Sequence, residues 1–231
     1  MAACKKLPTT SQPSPELFEK FYAEAAAAGD EVVGIFLSHE LSGTYQCAKL
    51  AADLANVDNV VFVDSTNVCL GEALLVRLAV HLRDVGKSAV QIAATLEHAK
   101  EHLHLVAAID DLKYLRKGGR ISGASALVGS LLQIKPILRG NEEGKIVLFD
   151  KTRGKLRAIE RLVSIYKERA IDLDDLIGIA HGDCPGEALR LETKLREAGH
   201  RGPILLVPHE PVTGAHVGPG MLSLYFHAVG K

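Results

Sequence analysis

The sequence changes from a strand pattern to a helix pattern within Leu37-Ser38-His39-Glu40-Leu41-Ser42-Gly43-Thr44-Tyr45-Gln46. The preceding run, residues 32–37, is short, apolar and rich in β-branched side chains, which predicts a buried strand of a parallel sheet. Apolar residues recur at helical spacing from Tyr45 to Ala55, and Ser42 stands where an N-cap residue is expected. We therefore predict a strand-to-helix turn.

This turn is a candidate anion site. The first backbone N–H groups of a helix lack partners inside the helix, and the helix dipole favours negative charge there. Gly43 would let a ligand approach the backbone closely, while the hydroxyls of Ser42 and Thr44 can donate hydrogen bonds. An ordinary helix cap without a ligand would use the same three residues, so both interpretations stay open.

The composition is that of an ordinary globular protein. Of the 231 residues, 47% are hydrophobic and 24% are charged. The net charge of −1 provides no global field for nucleic acid, so we expect none as a partner. The four cysteines, Cys4, Cys47, Cys69 and Cys184, are far apart and form no C-x-x-C pair, which predicts reduced thiols without a metal site. We find no signal peptide and no apolar run of about 18 residues, so we expect a cytoplasmic protein without an integral membrane segment.

The first half of the chain predicts a β-α-β unit. A second apolar run at residues 60–63 ends in Asp64-Ser65-Thr66, and two strands separated by a helix should be parallel. Ligands bind such sheets beyond the carboxyl ends of the strands, where Ser38–Thr44 and Asp64–Thr66 would lie. Helices predicted at about residues 15–28, 70–85 and 89–102 complete a Rossmann-like α/β/α domain, which we assign to residues 1–102.

From residue 103 the pattern changes to an α+β domain with a mixed sheet, which we assign to residues 103–231. The predicted strands are 103–109, 134–138, 145–149, 176–180, 204–207 and 222–228, and the predicted helices are 111–117, 124–133, 155–170 and 185–198. The short connection at residues 139–144 is typical of a hairpin and therefore of antiparallel pairing. We predict that Thr213–Gly220 is a glycine-rich loop that exposes the imidazole of His216.

Five motifs resemble those of the DegV family. They are Thr10-Ser11-Gln12-Pro13-Ser14, Leu41-Ser42-Gly43-Thr44-Tyr45-Gln46, Leu112-Lys113-Tyr114-Leu115-Arg116-Lys117-Gly118-Gly119-Arg120-Ile121-Ser122, Ile134-Lys135-Pro136-Ile137-Leu138 and His216-Val217-Gly218-Pro219-Gly220. The resemblance implies a two-domain α/β protein that holds a long-chain fatty acid between its domains. In several bacteria such proteins are the non-catalytic, cofactor-free subunit of a fatty-acid kinase. They present the carboxylate to a separate ATP-binding subunit and carry away the acyl phosphate.

The resemblance also implies the residues that bind the head group. They are Thr10, Ser42, Gly43, Arg120, Arg153 and His216. A buried carboxylate must be hydrogen-bonded or neutralised, and an acyl phosphate would need additional cationic groups. Taken alone, Arg120 and Arg153 could equally be ordinary surface arginines. The acyl chain would lie along the helix predicted from Ala124.

The sequence departs from the family pattern in several places. His39 and Cys47 stand where the family more often has serine, and Val217 replaces a usual threonine. Family members also begin earlier, with a strand that ends in an Asp-Ser motif. We therefore expect that the first domain is truncated and that Met1 is a misassigned start.

Two other functions are compatible with parts of the sequence. A serine-dependent acyl hydrolase would use Ser42 as nucleophile, His216 as base and Asp64 to orient the histidine. Ser42 does not, however, lie in a G-x-S-x-G motif. A Rossmann-type nucleotide site is disfavoured, because neither G-x-G-x-x-G nor G-x-x-x-x-G-K-[ST] follows either strand.

Overall fold

The computed structural model describes residues 7–121 and 133–230. These form two compact units. One is Ser11–Glu101, and the other is the chain from His102 onward together with the segment that ends at Thr10. The first unit has a parallel sheet and the second a mixed sheet, which confirms the predicted α/β class. No helix in the described ranges is long and apolar enough to cross a membrane.

The unit Ser11–Glu101 alternates helices with two parallel strands. Its elements are α1 (Pro15–Ala28), β1 (Val32–Phe36), α2 (Thr44–Ala55), β2 (Val60–Asp64), α3 (Leu70–Asp84) and α4 (Ala89–Glu101). The strands pair in register from Val32 opposite Val60 to Phe36 opposite Asp64. Asp64 and the turn after Phe36 therefore lie at the same edge of the sheet, as predicted.

Local sequence explains where these helices begin and end. Ser14 precedes α1 in an extended conformation and Pro15 occupies the first turn, where its missing N–H costs nothing. Gly29 ends the helix with φ of 74°, a left-handed conformation that glycine adopts without strain. Tyr22 of α1 packs with Ala51 and Ala52 of α2 in a buried cluster. The small alanine side chains allow α2 to lie close to α1.

The second unit is built on a six-stranded sheet. Its elements are β3 (Leu103–Ala108), α5 (Lys113–Gly118), β4 (Ile134–Gly140), β5 (Ile146–Arg153), α6 (Lys155–Arg169), β6 (Ile177–His181), α7 (Pro185–Glu197), β7 (Ile204–Pro208), α8 (Pro211–Val217) and β8 (Leu222–His227). The strand order is β5-β4-β3-β8-β6-β7, in which only β6 and β7 pair in parallel. Buried apolar residues of α6 and α7, such as Leu162 and Leu191, pack with Leu224 and Phe226 of the central strand β8.

Two local predictions were wrong. The segment expected to be a loop around His216 contains the helix α8, whose N-cap Glu210 accepts hydrogen bonds from the backbone N–H of Thr213. Ser42 is not the N-cap of α2, because the helix begins at Thr44 and Gly43 occupies the cap position. The helix predicted at residues 124–133 lies, except for Gln133, outside the described residues.

Candidate functional site

Thr10 and His216 are joined by a hydrogen bond. Oγ1 of Thr10 lies 2.7 Å from Nε2 of His216, although 206 positions separate the two residues in the chain. Both belong to the same compact unit, and both are half-buried. The last turn of α8 carries the histidine, while the threonine lies on the segment that precedes α1. The fold therefore brings together residues from the first and the last of the five motifs.

The surroundings of the imidazole determine which nitrogen carries its proton. Burial, and then the nearby charge of Arg120, lowers the pKa of His216, which favours the neutral ring. Nδ1 is buried and has no hydrogen-bond partner among the described residues. A buried N–H without an acceptor is rarer and costlier than an unused lone pair, so we assign the proton to Nε2. Nε2–H then donates to Thr10, whose own hydroxyl proton can be donated to a ligand.

The position of the imidazole depends on close packing between α5 and α8. A Cβ atom at residue 118 would overlap Nδ1 of His216, and one at residue 218 would overlap the ring of Tyr114. Tyr114 and Gly118 are four positions apart and so lie on one face of α5. Gly218 also has φ of 73°, which a residue with a Cβ rarely adopts. Glycines in two of the motifs thus allow the two helices to approach.

Arg120 lies beside this pair. Its Nη1 donates to the carbonyl oxygen of Gly118 at 2.5 Å, and its charge contributes to the lowered pKa of His216. The guanidinium is placed at the C-terminal end of α5, where the helix dipole favours a cation. Thr10, Arg120 and His216 therefore form one group, which we call the Thr10 cluster.

The chain that leaves α8 is held by contacts that the sequence analysis missed. Gly220 lies against the carboxylate of Asp110, and its N–H donates to the carbonyl oxygen of Gly182 at 2.6 Å. Asp110 is also paired with Lys135 at 2.9 Å and with Lys155 at 3.3 Å. The glycines of the His216 motif already indicate close backbone packing in the sequence. The sequence does not indicate which residues they pack against.

Ser42 and Gly43 lie in the unit Ser11–Glu101. The Ser42 hydroxyl is 2.7 Å from that of Thr44 and accepts from the Thr44 N–H at 3.3 Å. A Cβ atom at residue 43 would overlap the amide oxygen of Gln12, so the second motif contacts the first. Ser42 thus supplies a hydroxyl at the start of α2, as expected for a polar turn.

Arg153 is separate from these groups in what the structure describes. It ends β5, its side chain is exposed, and its Nε donates to Oε1 of Gln133 at 3.4 Å. The hydrogen bonds of Thr10, Arg120 and His216 given above are made with residues other than Arg153. Its role stays a prediction.

The serine-hydrolase hypothesis requires hydrogen bonds among Ser42, His216 and Asp64, but Asp64 and His216 are bonded to other residues. Asp64 contacts Nδ1 of His39, and its Oδ1 accepts from the N–H of Thr66 at 2.9 Å. The imidazole of His216 is hydrogen-bonded to Thr10 instead. These pairings give a Ser-His-Asp triad no support. Among the described residues, no group of three histidine, cysteine or acidic side chains could hold a metal ion.

Comparison with protein families finds one match that spans almost the whole chain. A family described as uncharacterised proteins of the DegV family matches residues 1–229. A DegV domain-containing protein of Streptococcus pyogenes is 35% identical over 223 residues, which cover 94% of this chain and 77% of the relative. A DegV domain-containing protein of Listeria innocua is 36% identical over 226 residues, which cover 95% of this chain and 78% of the relative.

Solved structures have the same fold. A fatty-acid-binding DegV family protein from Streptococcus agalactiae superposes with a TM-score of 0.90 at 31% identity, covering 100% of this chain and 81% of that protein. DegV from Bacillus subtilis, described as a fatty-acid-binding protein, superposes with a TM-score of 0.82 at 30% identity, covering 96% of this chain and 79% of that protein. The resemblance noted in the sequence is thereby confirmed.

Proposed function

Because the chain belongs to the DegV family, we propose that it binds a long-chain fatty acid through the carboxylate. Fatty-acid binding is the property named for the solved relatives from Streptococcus agalactiae and Bacillus subtilis. The observation that carries the proposal for this chain is the hydrogen bond between Thr10 and His216. In this bond the threonine oxygen accepts from His216 Nε2–H. The hydroxyl proton of Thr10 is therefore available for donation to an anion.

Each proposed head-group residue has a physical role. Thr10 donates its hydroxyl proton to a carboxylate oxygen, and His216 keeps that hydroxyl oriented. Arg120 supplies positive charge close by, which offsets the cost of taking a carboxylate out of water. Ser42 and Gly43 contribute a hydroxyl and the backbone at the start of α2, where the helix dipole favours an anion.

We extend the proposal to the reaction partner. The chain would present the carboxylate to a separate ATP-binding kinase subunit and carry the acyl phosphate that results. The chain itself would then be a binding subunit in the cytoplasm, with no catalytic residue of its own. Arg153, whose exposed side chain donates a long hydrogen bond to Gln133, would contact the additional negative charge of the phosphate.

Lipid extraction followed by mass spectrometry tests the proposal directly. We expect about one fatty acid per purified protein, and rebinding to the delipidated protein measured by isothermal titration calorimetry. Replacing Ser42 by alanine should weaken rebinding about tenfold, since a hydrogen bond to a charged group is lost. Thr95→Ala, an exposed change on α4, is the matched control and should leave the affinity unchanged. A protein that neither carries nor rebinds fatty acid would refute the proposal.

The kinase step needs a separate test. The fatty-acid-loaded protein should release acyl phosphate only when an ATP-binding kinase subunit and ATP are both present. Release by the protein and ATP alone would show that it is itself an enzyme and would refute the role of binding subunit.

A further inference from the structure

An ion pair joins the end of β3 to the start of β4. Ala108 pairs with Ile137 in an antiparallel register, which places Asp110 opposite Lys135. Oδ1 of Asp110 lies 2.9 Å from Nζ of Lys135. Lys135 belongs to the fourth of the five motifs, which the proposed head-group site does not use. Its partner Asp110 therefore suggests what this motif does.

Two helix starts extend the pair into a network. Lys155 begins α6, and its Nζ lies 3.3 Å from Oδ2 of Asp110 and 3.2 Å from Oε1 of Glu187 in the first turn of α7. We call Asp110, Lys135, Lys155 and Glu187 the Asp110 network. The side chain of Lys135 is only 18% exposed, so solvent and salt screen its pair with Asp110 less than they screen a surface pair. The network thus ties Asp110 to the sheet and to both helices.

The carboxylate of Asp110 also lies against the chain that leaves α8. A Cβ atom at residue 220 would overlap Oδ2 and Cγ of Asp110, so the backbone of Gly220 is in close contact with this side chain. Gly220 comes two residues after Gly218, which ends α8, and Asp110 comes two residues before Leu112, the N-cap of α5. One side chain therefore connects the entry to α5 with the exit from α8.

We propose that Asp110 is a positioning residue for the head-group site, an inference that rests on fatty-acid binding by that site. Arg120 follows α5, and Gly118 of the same helix lies against Nδ1 of His216 on α8. The separation of the two helices therefore determines where the imidazole lies relative to Thr10. Asp110 fixes that separation, because the two lysines hold its carboxylate against the chain beyond α8. It acts on the ligand through His216.

Asp110→Asn tests the charge of this side chain. Asparagine has nearly the shape of aspartate, so the variant retains the contact with Gly220 and loses the attraction of the two lysines. We expect fatty-acid affinity, measured by isothermal titration calorimetry, to fall about tenfold. Asp150→Asn is the matched control, because Asp150 is paired with Arg161 of α6 at 2.7 Å in the same unit. This control should leave the affinity unchanged.

Two further measurements separate positioning from a general loss of stability. In the ligand-free protein the Nε2–H proton of His216 should exchange slowly in NMR spectra, because it is donated to Thr10. Asp110→Asn should speed this exchange, and Asp150→Asn should not. In a Thr10→Val background, Asp110→Asn should change the affinity little further, because both residues act through the same hydrogen bond.

Lys135 provides variants that leave Asp110 in place. Lys135→Gln removes one of its two ion pairs and should weaken fatty-acid binding about threefold. Lys135→Arg keeps the charge and should retain most of the affinity. Urea unfolding checks that each variant is folded.

Two results would overturn the positioning role. One is a folded Asp110→Asn protein with wild-type affinity and a slowly exchanging His216 proton. The other is a loss of affinity that simply multiplies with that of Thr10→Val. A wild-type protein that binds no fatty acid would instead refute the proposed function, and the exchange of the His216 proton would still decide whether Asp110 positions the ring.

Discussion

Gly118 lies directly against Nδ1 of the His216 imidazole, whereas the ring is hydrogen-bonded to Thr10 through Nε2. Replacing Gly118 by alanine would place a methyl group where Nδ1 lies and should displace the ring. We expect fatty-acid affinity to fall about tenfold, with a changed chemical shift of the His216 ring in NMR spectra. Gly186→Ala in α7 is the control, because an added Cβ there meets no atom within 4 Å. Equal affinity in both variants would contradict the proposed role of the histidine.

Thr10 offers a test of the hydroxyl itself. Thr10→Val keeps the size of the side chain but removes its donor, so fatty-acid binding should weaken by about 10- to 100-fold. Thr10→Ser retains the hydroxyl and should restore most of the affinity. Calorimetric titration of the delipidated variants gives these numbers. If valine binds as tightly as serine, the hydroxyl does not contact the ligand.

Gly220 should be intolerant of substitution for two reasons that can be separated. Its φ of 82° is strained for alanine, and a Cβ would overlap Asp110. Gly86 has φ of 81° with open space around it, so Gly86→Ala measures the conformational cost alone, about 1 kcal/mol. We expect Gly220→Ala to lower the free energy of unfolding by about 2 kcal/mol or more in urea titrations. Equal losses in the two variants would show that the Asp110 contact is easily relieved.

His209 should make the protein less stable in acid. Burial lowers the pKa of His209 to about 4, whereas the unfolded chain has a value near 6.5. Between these values the unfolded state binds a proton that the folded state does not, so stability falls as pH decreases through this window. At pH 4 the loss should approach roughly 3 kcal/mol.

His209→Gln isolates this contribution. Glutamine does not titrate, so the variant should lose about 3 kcal/mol less than the wild type between pH 7 and pH 4. Urea unfolding at the two pH values measures the difference. His98→Gln, on α4, changes a histidine outside this environment and serves as the control. Parallel pH profiles for the wild type and the His209 variant would contradict the assignment.

Most of the regular structure could be predicted because its causes are local. The run expected at residues 32–37 is the strand β1 at Val32–Phe36, because an unbroken β-branched stretch favours a strand, but its five residues are half-buried and not buried as predicted. The helix expected at residues 15–28 is α1 with the same bounds, because a proline marks its start and a glycine its end.

The helix α8 escaped prediction because its stability is not local. Gly214 within it and the glycines after it disfavour a helix on propensity alone. Two features offset this low helix propensity. The Glu210 side chain caps the first turn, and the side chains of Ala215 and Val217 are buried. Their burial is a consequence of packing, which the pattern of residues 211–217 does not reveal.

Periodicity, turn residues and motif order were enough to establish the α/β class, the family resemblance and the candidate head-group residues, because each depends on residues close together in the chain. The pairing of Thr10 with His216 and the glycine contacts of α5 with α8 depend on which distant segments meet. Side-chain hydrogen bonds need separations near 3 Å, and only the folded chain brings residues 10 and 216 to that distance.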